Sequence, residues 1–476
     1  MIDRGPTPSA DAYSPQRRTA LVLSGIGTAG AYHAGVLRAL HEAGVKLDIV
    51  AGRGIGAVGA LFAAVDGAQR LWDEKGFWRP RAVHGLYRWR SAWRFVVLSL
   101  AAAAAVVVLP LAVMACGLVV FPIDFFLKMV GATGAGGLTS WYLHTAESAF
   151  APTAFPTWLP RIVLLVLGAA TAAAATSGYL QAMQRRQRGA AWWRLALAPL
   201  SAETAIDHVW QELWELVRGA TQLKPPARVD LARRYTELLA DNLGQPGFRE
   251  LLLLAHDIDA GRDLVFALVA EPQRRELVRR SRSEDADTRR AEVIDLTGVG
   301  RDLLSDAVAA ALSIPLATDF HVTGFPAEGY WRGEQHRLAD RPGSLERIIQ
   351  ELVGLHVDQI VLVSAAPEAA GPHALAAARL DGRGRLGEYL QSSETAAVRD
   401  VVTAWQMSAD AHPRIFAIRP IHNPVGPFDF DGGFDDRSVR PSTLTELMSR
   451  GYEDAYRQFI EPVVGASGER VGQTEA

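Results

Sequence analysis

Two glycine-rich turns hold the residues of this chain whose spacing could serve chemistry. The first is Ser24-Gly25-Ile26-Gly27-Thr28-Ala29-Gly30 and the second is Gly52-Arg53-Gly54-Ile55-Gly56. Each follows a short apolar run and precedes small and apolar residues at helical spacing. The pattern predicts a strand over 19–23, a helix over 31–43 closed by Gly44, and a second strand over 48–51. Glycines between a strand and a helix let backbone N–H groups point outward at the positive helix end. That makes a cradle for an anion or for the oxyanion of acyl transfer. A tight turn without a ligand fits the same residues. So does the dinucleotide fingerprint, read as Gly25-x-Gly27-x-x-Gly30 with Arg53 offered to a 2′-phosphate. The second turn has the frame of a nucleophile elbow, whose central side chain projects over a helix N-terminus. Its central residue is Gly54, which has no side chain to attack with.

Other groups near these turns allow a relocated reaction. Ser24 and Thr28 offer hydroxyls, and His33 could act as a base; the alternative is ordinary turn and packing roles. Asp431, in Asp431-Gly432-Gly433, is a candidate partner for Ser24, or else a solvated acidic turn. Asp257 and Asp259 sit where a strand enters a turn and read as ligands of local backbone. No paired cysteines and no His-Glu-x-x-His occur, so no metal or cofactor is expected. Cys116 is the single cysteine, which excludes an intrachain disulfide and fits a reducing compartment.

The two turns together resemble the patatin-like phospholipases. The resemblance rests on Ser24-Gly-Ile-Gly-Thr-Ala-Gly-Ala-Tyr-His-Ala-Gly-Val-Leu followed by Gly52-Arg-Gly-Ile-Gly-Ala. It continues through 250–262, 307–317, 330–342, 360–364, 386–407 and 413–420, so it covers about 19–90 and 200–465. It implies a three-layer α/β domain with a mostly parallel sheet. It also implies an oxyanion loop (Gly25, Gly27, Thr28, Gly30), an elbow (Gly52, Arg53, Gly54, Gly56) and a Ser–Asp dyad acting on lipid esters. The chain departs from the family in three places. Ala29 stands where the oxyanion loop usually carries a basic residue. Gly54 stands where the nucleophilic serine belongs. Arg332, in Arg332-Gly333-Glu334, stands where the resemblance places the aspartate. Both dyad positions therefore read as vacant.

Other segments must place this domain. No charged residue occurs over 95–123, longer than the roughly 20 residues needed to cross a bilayer core, and Pro110 inside it is tolerated in a span. A second uncharged run covers 162–184 and is richer in alanine. Arg79, Arg81, Arg88, Arg90 and Arg94 precede the first run; Arg185, Arg186, Arg188 and Arg194 follow the second. The connection, roughly 124–161, holds only Lys128 and Arg161 as basic residues. Trp93, Trp141, Trp158, Trp192 and Trp193 fall near the expected interfaces. The positive-inside bias puts both outer ends in the cytoplasm and the connection outside; a pair of buried core helices is the alternative. Helices over 204–218 and 229–243 should pack on the core or lie on the membrane surface.

The expected organisation is a disordered tail (1–18), the first part of the α/β domain (19–90), and an insertion (91–195) with spans at about 95–121 and 162–182. The rest of the domain (196–465) and a tail (466–476) follow. The net charge of −3 over 476 residues gives no basic surplus for nucleic acid. Partners are then membrane lipids, with a second copy or another protein meeting the anchor. The expected function is a membrane-anchored, patatin-like protein of lipid metabolism or sensing without acyl-hydrolase chemistry. The alternatives are a lipid acyl hydrolase with a relocated nucleophile and a nucleotide-binding oxidoreductase.

Overall fold

The computed structural model describes residues 13–79, 81–131, 136–185, 198–219, 224–279, 291–368, 382–407, 413–434 and 441–465. Of the expected tails, 1–12 and 466–476 lie outside these residues, as do Arg186, Arg188, Trp192, Trp193 and Arg194. Residues 13–18 are folded rather than tail. Tyr13 is buried and exchanges hydrogen bonds with the Lys46 backbone, and Arg18 pairs with Glu250. The chain forms two units, Met1–Arg88 with Leu200–Ala476, and Trp89–Pro199.

The first unit is an α/β domain. Its first half runs β1 (Thr19–Gly25), α1 (Ala29–Glu42), β2 (Ile49–Gly54) and α2 (Gly56–Ala64). Every residue of β1 and β2 is buried, which is why these strands read as continuous apolar runs rather than alternating ones. Helix α1 ends as expected: Gly44 takes φ +66, and the Val45 N–H returns to the Leu40 carbonyl at 3.0 Å.

Among its described residues the second unit forms three helices, α3 (Ser91–Met129), α4 (Gly136–Ala149) and α5 (Phe155–Arg185). Among the described residues one helix, over Val97–Met129, is long and apolar enough to cross a membrane. Its apolar side chains face outward, Leu118 being 75% exposed. In α5 the apolar stretch Thr157–Ala173 is shorter than the roughly 20 residues that cross a bilayer core. The connection expected between two spans is not a plain loop: it holds α4 and the adjoining ends of α3 and α5.

The chain then returns to the α/β unit through α6 (Glu203–Val217), α7 (Arg228–Asn242), β3 (Glu250–Asp257), β4 (Arg262–Leu268), β5 (Val293–Asp295) and α8 (Leu304–Leu312). Next come β6 (His321–Gly324), β7 (Gln335–Ala339), α9 (Leu345–Gly354), β8 (Gln359–Ser364), α10 (Gly382–Gln406), β9 (Arg414–Ile418) and α11 (Leu444–Ala455). A capping box of Thr443 and Glu446 starts α11. Helices α6 and α7 place Val209, Leu213, Leu231 and Tyr235 in the core, so they pack on the domain.

The sheet runs β9-β8-β1-β2-β3-β4-β5. Strands β9 to β3 are parallel, β4 is antiparallel to β3, and β5 is parallel to β4. The β6–β7 hairpin joins the end of β3 through His256 and Asp257. Successive strand residues enter opposite cores, as the pleat requires. Leu21, Leu23 and Val50 face the layer of α1, α2, α6, α7 and α11, whereas Ala20, Val22 and Ile49 face α9 and α10. The expected three-layer, mostly parallel architecture is present.

Helices α1 and α11 cross through two glycines. A Cβ on Gly35 would lie 1.8 Å from the Met448 carbonyl oxygen, and one on Gly451 would lie 2.3 Å from that of Tyr32. Backbone cannot yield as a side-chain tip can. Gly35→Ala should therefore destabilise the domain by roughly 1–3 kcal/mol despite alanine's better helix propensity. The urea midpoint of the full chain measures this, and an unchanged or raised midpoint would refute the close crossing.

Candidate functional site

Parallel pairing of β1 and β2 sets Ser24 beside Arg53 and Gly25 beside Gly54. Gly54 ends β2 with φ +56, the left-handed backbone of a sharp strand-to-helix turn. The Ile55 N–H donates to the Gly25 carbonyl at 2.9 Å and draws the two turns together. A Cβ built on Gly54 would stand 3.0 Å from Asp340 Oδ2 but only 2.2 Å from the Gly25 carbonyl oxygen. The elbow therefore has its turn and a carboxyl neighbour, but no room for a side chain as the backbone stands.

That carboxyl neighbour is Asp340, and the Arg332 turn is not beside the elbow. Arg332 is exposed, with φ +46, in the turn linking β6 to β7. Asp340 follows β7 directly, is buried, and has its N–H bonded to the Ser313 carbonyl at 2.8 Å. The hairpin carries the chain past Arg332 and delivers Asp340 to the elbow.

Arg53 is the centre of the site and is 0% exposed. Its Nε donates to Asp340 Oδ1 at 3.0 Å and its Nη2 to Asp340 Oδ2 at 2.7 Å, a bidentate pair. Its Nη1 donates to Ser24 Oγ at 2.8 Å and to Glu394 of α10. Ser24 Oγ in turn donates to Glu394 Oε1 at 2.5 Å. One guanidinium thus ties β2 to the residue after β7, to α10 and to β1. Burial works against this cation, but Asp340 and Glu394 outweigh burial and raise its pKa. Burial also pushes the Asp340 carboxyl up, with Arg53 opposing and Glu394 adding to the rise. The two-pronged contact is that of an ionised carboxylate, and we take Asp340 as held in that form. Nearby, buried Tyr87 donates its hydroxyl to the Leu312 carbonyl at 2.9 Å, and burial raises its pKa with a smaller contribution from Asp340.

The remaining candidates do not assemble a second dyad. Ser24 is buried with its hydroxyl held by Arg53 and Glu394. Asp431 pairs with His84 at 2.8 Å, its carboxylate 88% exposed. Arg53 is enclosed, so it offers nothing to a 2′-phosphate, and the nucleotide reading loses its cation. Asp257 accepts from the N–H groups of Asp259 and Ala260, as expected, and also holds His336 Nδ1 at 2.5 Å. Asp259 pairs with Arg337.

His33 touches the Ser24 carbonyl, not the Ser24 hydroxyl, through Nε2 at 3.1 Å. Its Nδ1 is buried without a hydrogen-bond partner. Burial lowers its pKa to about 4, with the Ser24 bond opposing and Arg53 assisting. The ring is neutral and donates Nε2–H. The folded protein thus binds fewer protons than the unfolded chain between about pH 4 and 6.5. Stability from this group is complete above the unfolded pKa and is lost as pH falls towards 4. The lowered value corresponds to about 3 kcal/mol at most. Urea midpoints between pH 7 and 4.5 should fall less steeply in His33→Gln than in the parent; equal slopes would contradict the neutral buried ring.

The first turn is occupied by its own chain. The Thr28 N–H donates to the Pro427 carbonyl at 3.0 Å, and Thr28 Oγ1 to the Gly426 carbonyl at 2.8 Å. The N–H groups of Ala29, Gly30 and Ala31 bond to the carbonyls of Ile26, Gly27 and Thr28. Gly27, at φ +55, would drive a Cβ to 1.9 Å from the Pro427 oxygen, so glycine is needed for segment 423–428, a strap over this turn, to seat. The strap is anchored by Asn423 to the Ala365 carbonyl and by Arg383 to the Phe428 carbonyl. Beside it, Gly25, Thr28, Ala366, Glu394, Asn423 and Pro427 help to line a cavity of about 30 Å³. This space suits water rather than an acyl chain.

Two residues central to this site, Asp340 and Glu394, were not among the sequence candidates. Their separations from Arg53, 287 and 341 positions, leave no local pattern. The available signal was Arg53 itself: an arginine inside an apolar strand must find buried carboxyl partners.

Residues 21–105 match the model of the patatin-like phospholipase family, a window holding both glycine turns. Patatin-like phospholipase domain-containing protein 6 of Homo sapiens is 48% identical over 60 residues, 12% of this chain and 4% of that protein. Lysophospholipase nte1 of Aspergillus fumigatus is 38% identical over 82 residues, 17% of this chain and 5% of that protein. The chain therefore spans a small fraction of the length of these relatives. A crystal structure of VipD from Legionella pneumophila shares 13% identity, covering 95% of this chain and 68% of that one, at a TM-score of 0.31, too low to argue from. The segment with both turns is patatin-like in sequence, and the fold around it is α/β with a mostly parallel sheet.

Proposed function

We propose that this chain is a membrane-anchored, patatin-like protein of lipid metabolism or sensing that has lost acyl-hydrolase chemistry. The observation that carries the proposal is the bidentate hold of Arg53 on Asp340 beside the side-chain-less Gly54. On this reading Asp340 stands at the family's aspartate position, Gly54 at its nucleophile position, and the Pro427 carbonyl sits on a donor of its oxyanion loop. The aspartate survives as the counter-ion of a structural arginine rather than as a base. In an unrelated serine hydrolase, loss of the nucleophile alone lowers turnover by on the order of 10⁶.

The anchor comprises α3 and α5 as two spans. The basic residues Arg79, Arg88, Arg90 and Arg94 on one side of α3 favour placing the α/β unit in the cytoplasm. The lipid connection draws on the patatin-like match and on relatives named as phospholipase-like and lysophospholipase proteins. The direct test is hydrolysis of lysophosphatidylcholine by the full-length protein in lipid nanodiscs. No fatty acid release above empty nanodiscs is expected. Sustained turnover that disappears in Ser24→Ala would instead establish the relocated nucleophile.

A further inference from the structure

One run of the chain carries charge of a single sign. From Lys75 to Ile123 no Asp or Glu occurs, and the first part of the run holds Lys75, Arg79, Arg81, Arg88, Arg90 and Arg94. Phe77, Trp78, Tyr87, Trp89 and Trp93 are interleaved with them. Lys75, Arg79, Arg88 and Arg94 are exposed. Among the described residues no carboxylate pairs with these four, whereas elsewhere in the α/β unit Arg70, Arg228, Arg233 and Arg249 each hold one. Cations gathered on one segment without counter-ions attract anions.

The fold holds two of these cations outward. Arg79 follows Trp78 and Arg88 follows Tyr87, and both aromatic residues are buried. Trp78 packs where the two glycine turns meet: a Cβ on Gly30 would come 2.1 Å from Trp78 Cζ2 and 2.9 Å from Ile55 Cγ1. The Tyr87 ring stacks on Phe430 with centroids 6.1 Å apart and meets Phe428 edge-on at 6.0 Å. Tyr87 takes φ +53, a left-handed backbone that bulky L residues rarely adopt. Its ring contacts and its hydroxyl bond to Leu312 hold that backbone, and Arg88 turns to solvent. Gly85 leaves the space that the Arg88 guanidinium uses, since a Cβ there would come 2.4 Å from Nη2.

We propose that Lys75, Arg79 and Arg88 are a docking surface for anionic lipid head groups, carried on the segment that packs on the glycine turns. The proposal rests on reading α3 as a span. Arg88 precedes the first residue of α3 by three positions, a length of chain that reaches at most about 11 Å. Cations tethered this near a spanning helix meet the surface potential of anionic lipids. Guanidinium groups suit the phosphates of those lipids, because their fork of N–H donors matches two oxygens at once. Trp89, exposed beside Arg88, is of the type that collects at the boundary. Lipid is the occupant rather than nucleic acid: the acid-free run leads directly into the apolar helix, and the chain as a whole has a net charge of −3.

The test uses the full chain in phosphatidylcholine vesicles doped with nitroxide-labelled phosphatidylglycerol or phosphatidylcholine. Lipid held by the protein gives a motionally restricted spectral component, and the two labels give a ratio of association. We expect phosphatidylglycerol to be favoured several-fold. The preference should fall about twofold or more when Lys75, Arg79 and Arg88 are all replaced by Gln, and it should shrink in 1 M NaCl. Arg332→Gln, which removes an exposed cation from the β6–β7 turn, should leave it unchanged. Equal association of the two labels with the parent chain overturns the proposal. So does a preference that survives the triple replacement. A restricted component missing for both labels would remove the α3 span on which the proposal rests, a failure distinguishable because it does not depend on head-group charge.

Discussion

Arg53→Met should lower the stability of the α/β unit by roughly 3–5 kcal/mol, because it leaves buried carboxyl groups without their cation. The environment makes this the most damaging single change expected in the protein. Arg53 is 0% exposed, and its guanidinium joins Asp340, Glu394 and Ser24. Arg53→Lys keeps the charge but loses the fork that holds both Asp340 oxygens, so its loss should be intermediate. Adding Asp340→Asn and Glu394→Gln to Arg53→Met should recover part of the deficit, since the group would then act as one coupled unit. Urea denaturation of the full chain in nanodiscs, followed by tryptophan fluorescence, reads all three. A loss below about 1 kcal/mol for Arg53→Met, the scale of an exposed pair, would contradict a buried ionic lock.

Gly54→Ser should not create a nucleophile. The added Cβ meets the Gly25 carbonyl oxygen at 2.2 Å on a backbone with φ +56. Overpacking of this kind costs roughly 1–3 kcal/mol, and the left-handed backbone adds about 1–2 kcal/mol for an L side chain. Even with the backbone shifted, Asp340 remains engaged by both prongs of Arg53, and the Thr28 amide remains on Pro427. The expected result is a lower urea midpoint and no reaction of the introduced serine with a fluorophosphonate. Arg332→Asp should add nothing, because position 332 lies in an exposed turn. Stoichiometric labelling of the serine in Gly54→Ser would mean that a single residue separates this protein from a working hydrolase.

The elements were legible where local rules govern them. Consecutive apolar residues marked the buried parallel strands β1 and β2, and glycines marked the turns after them, because backbone conformation is a local demand. Helix α10 and strand β9 were likewise placed by the resemblance. Arg332-Gly333 has the look of a motif turn and serves the β6–β7 hairpin, where both residues take positive φ. Asp340 and Glu394 could not be paired with Arg53 by any local rule, since only tertiary folding brings them within reach. In α5 the many alanines leave an apolar stretch of only Thr157–Ala173, because methyl groups supply little apolar area.

On the proposed function, Gly54, Arg53 and Asp340 form a closed, non-catalytic site. The full-length protein in nanodiscs can be treated with a fluorophosphonate and any adduct located by mass spectrometry. No serine adduct is expected, on Ser24 or elsewhere in the α/β unit. A single stoichiometric adduct on one serine, abolished by its replacement with alanine, would instead make this protein a hydrolase with a displaced nucleophile.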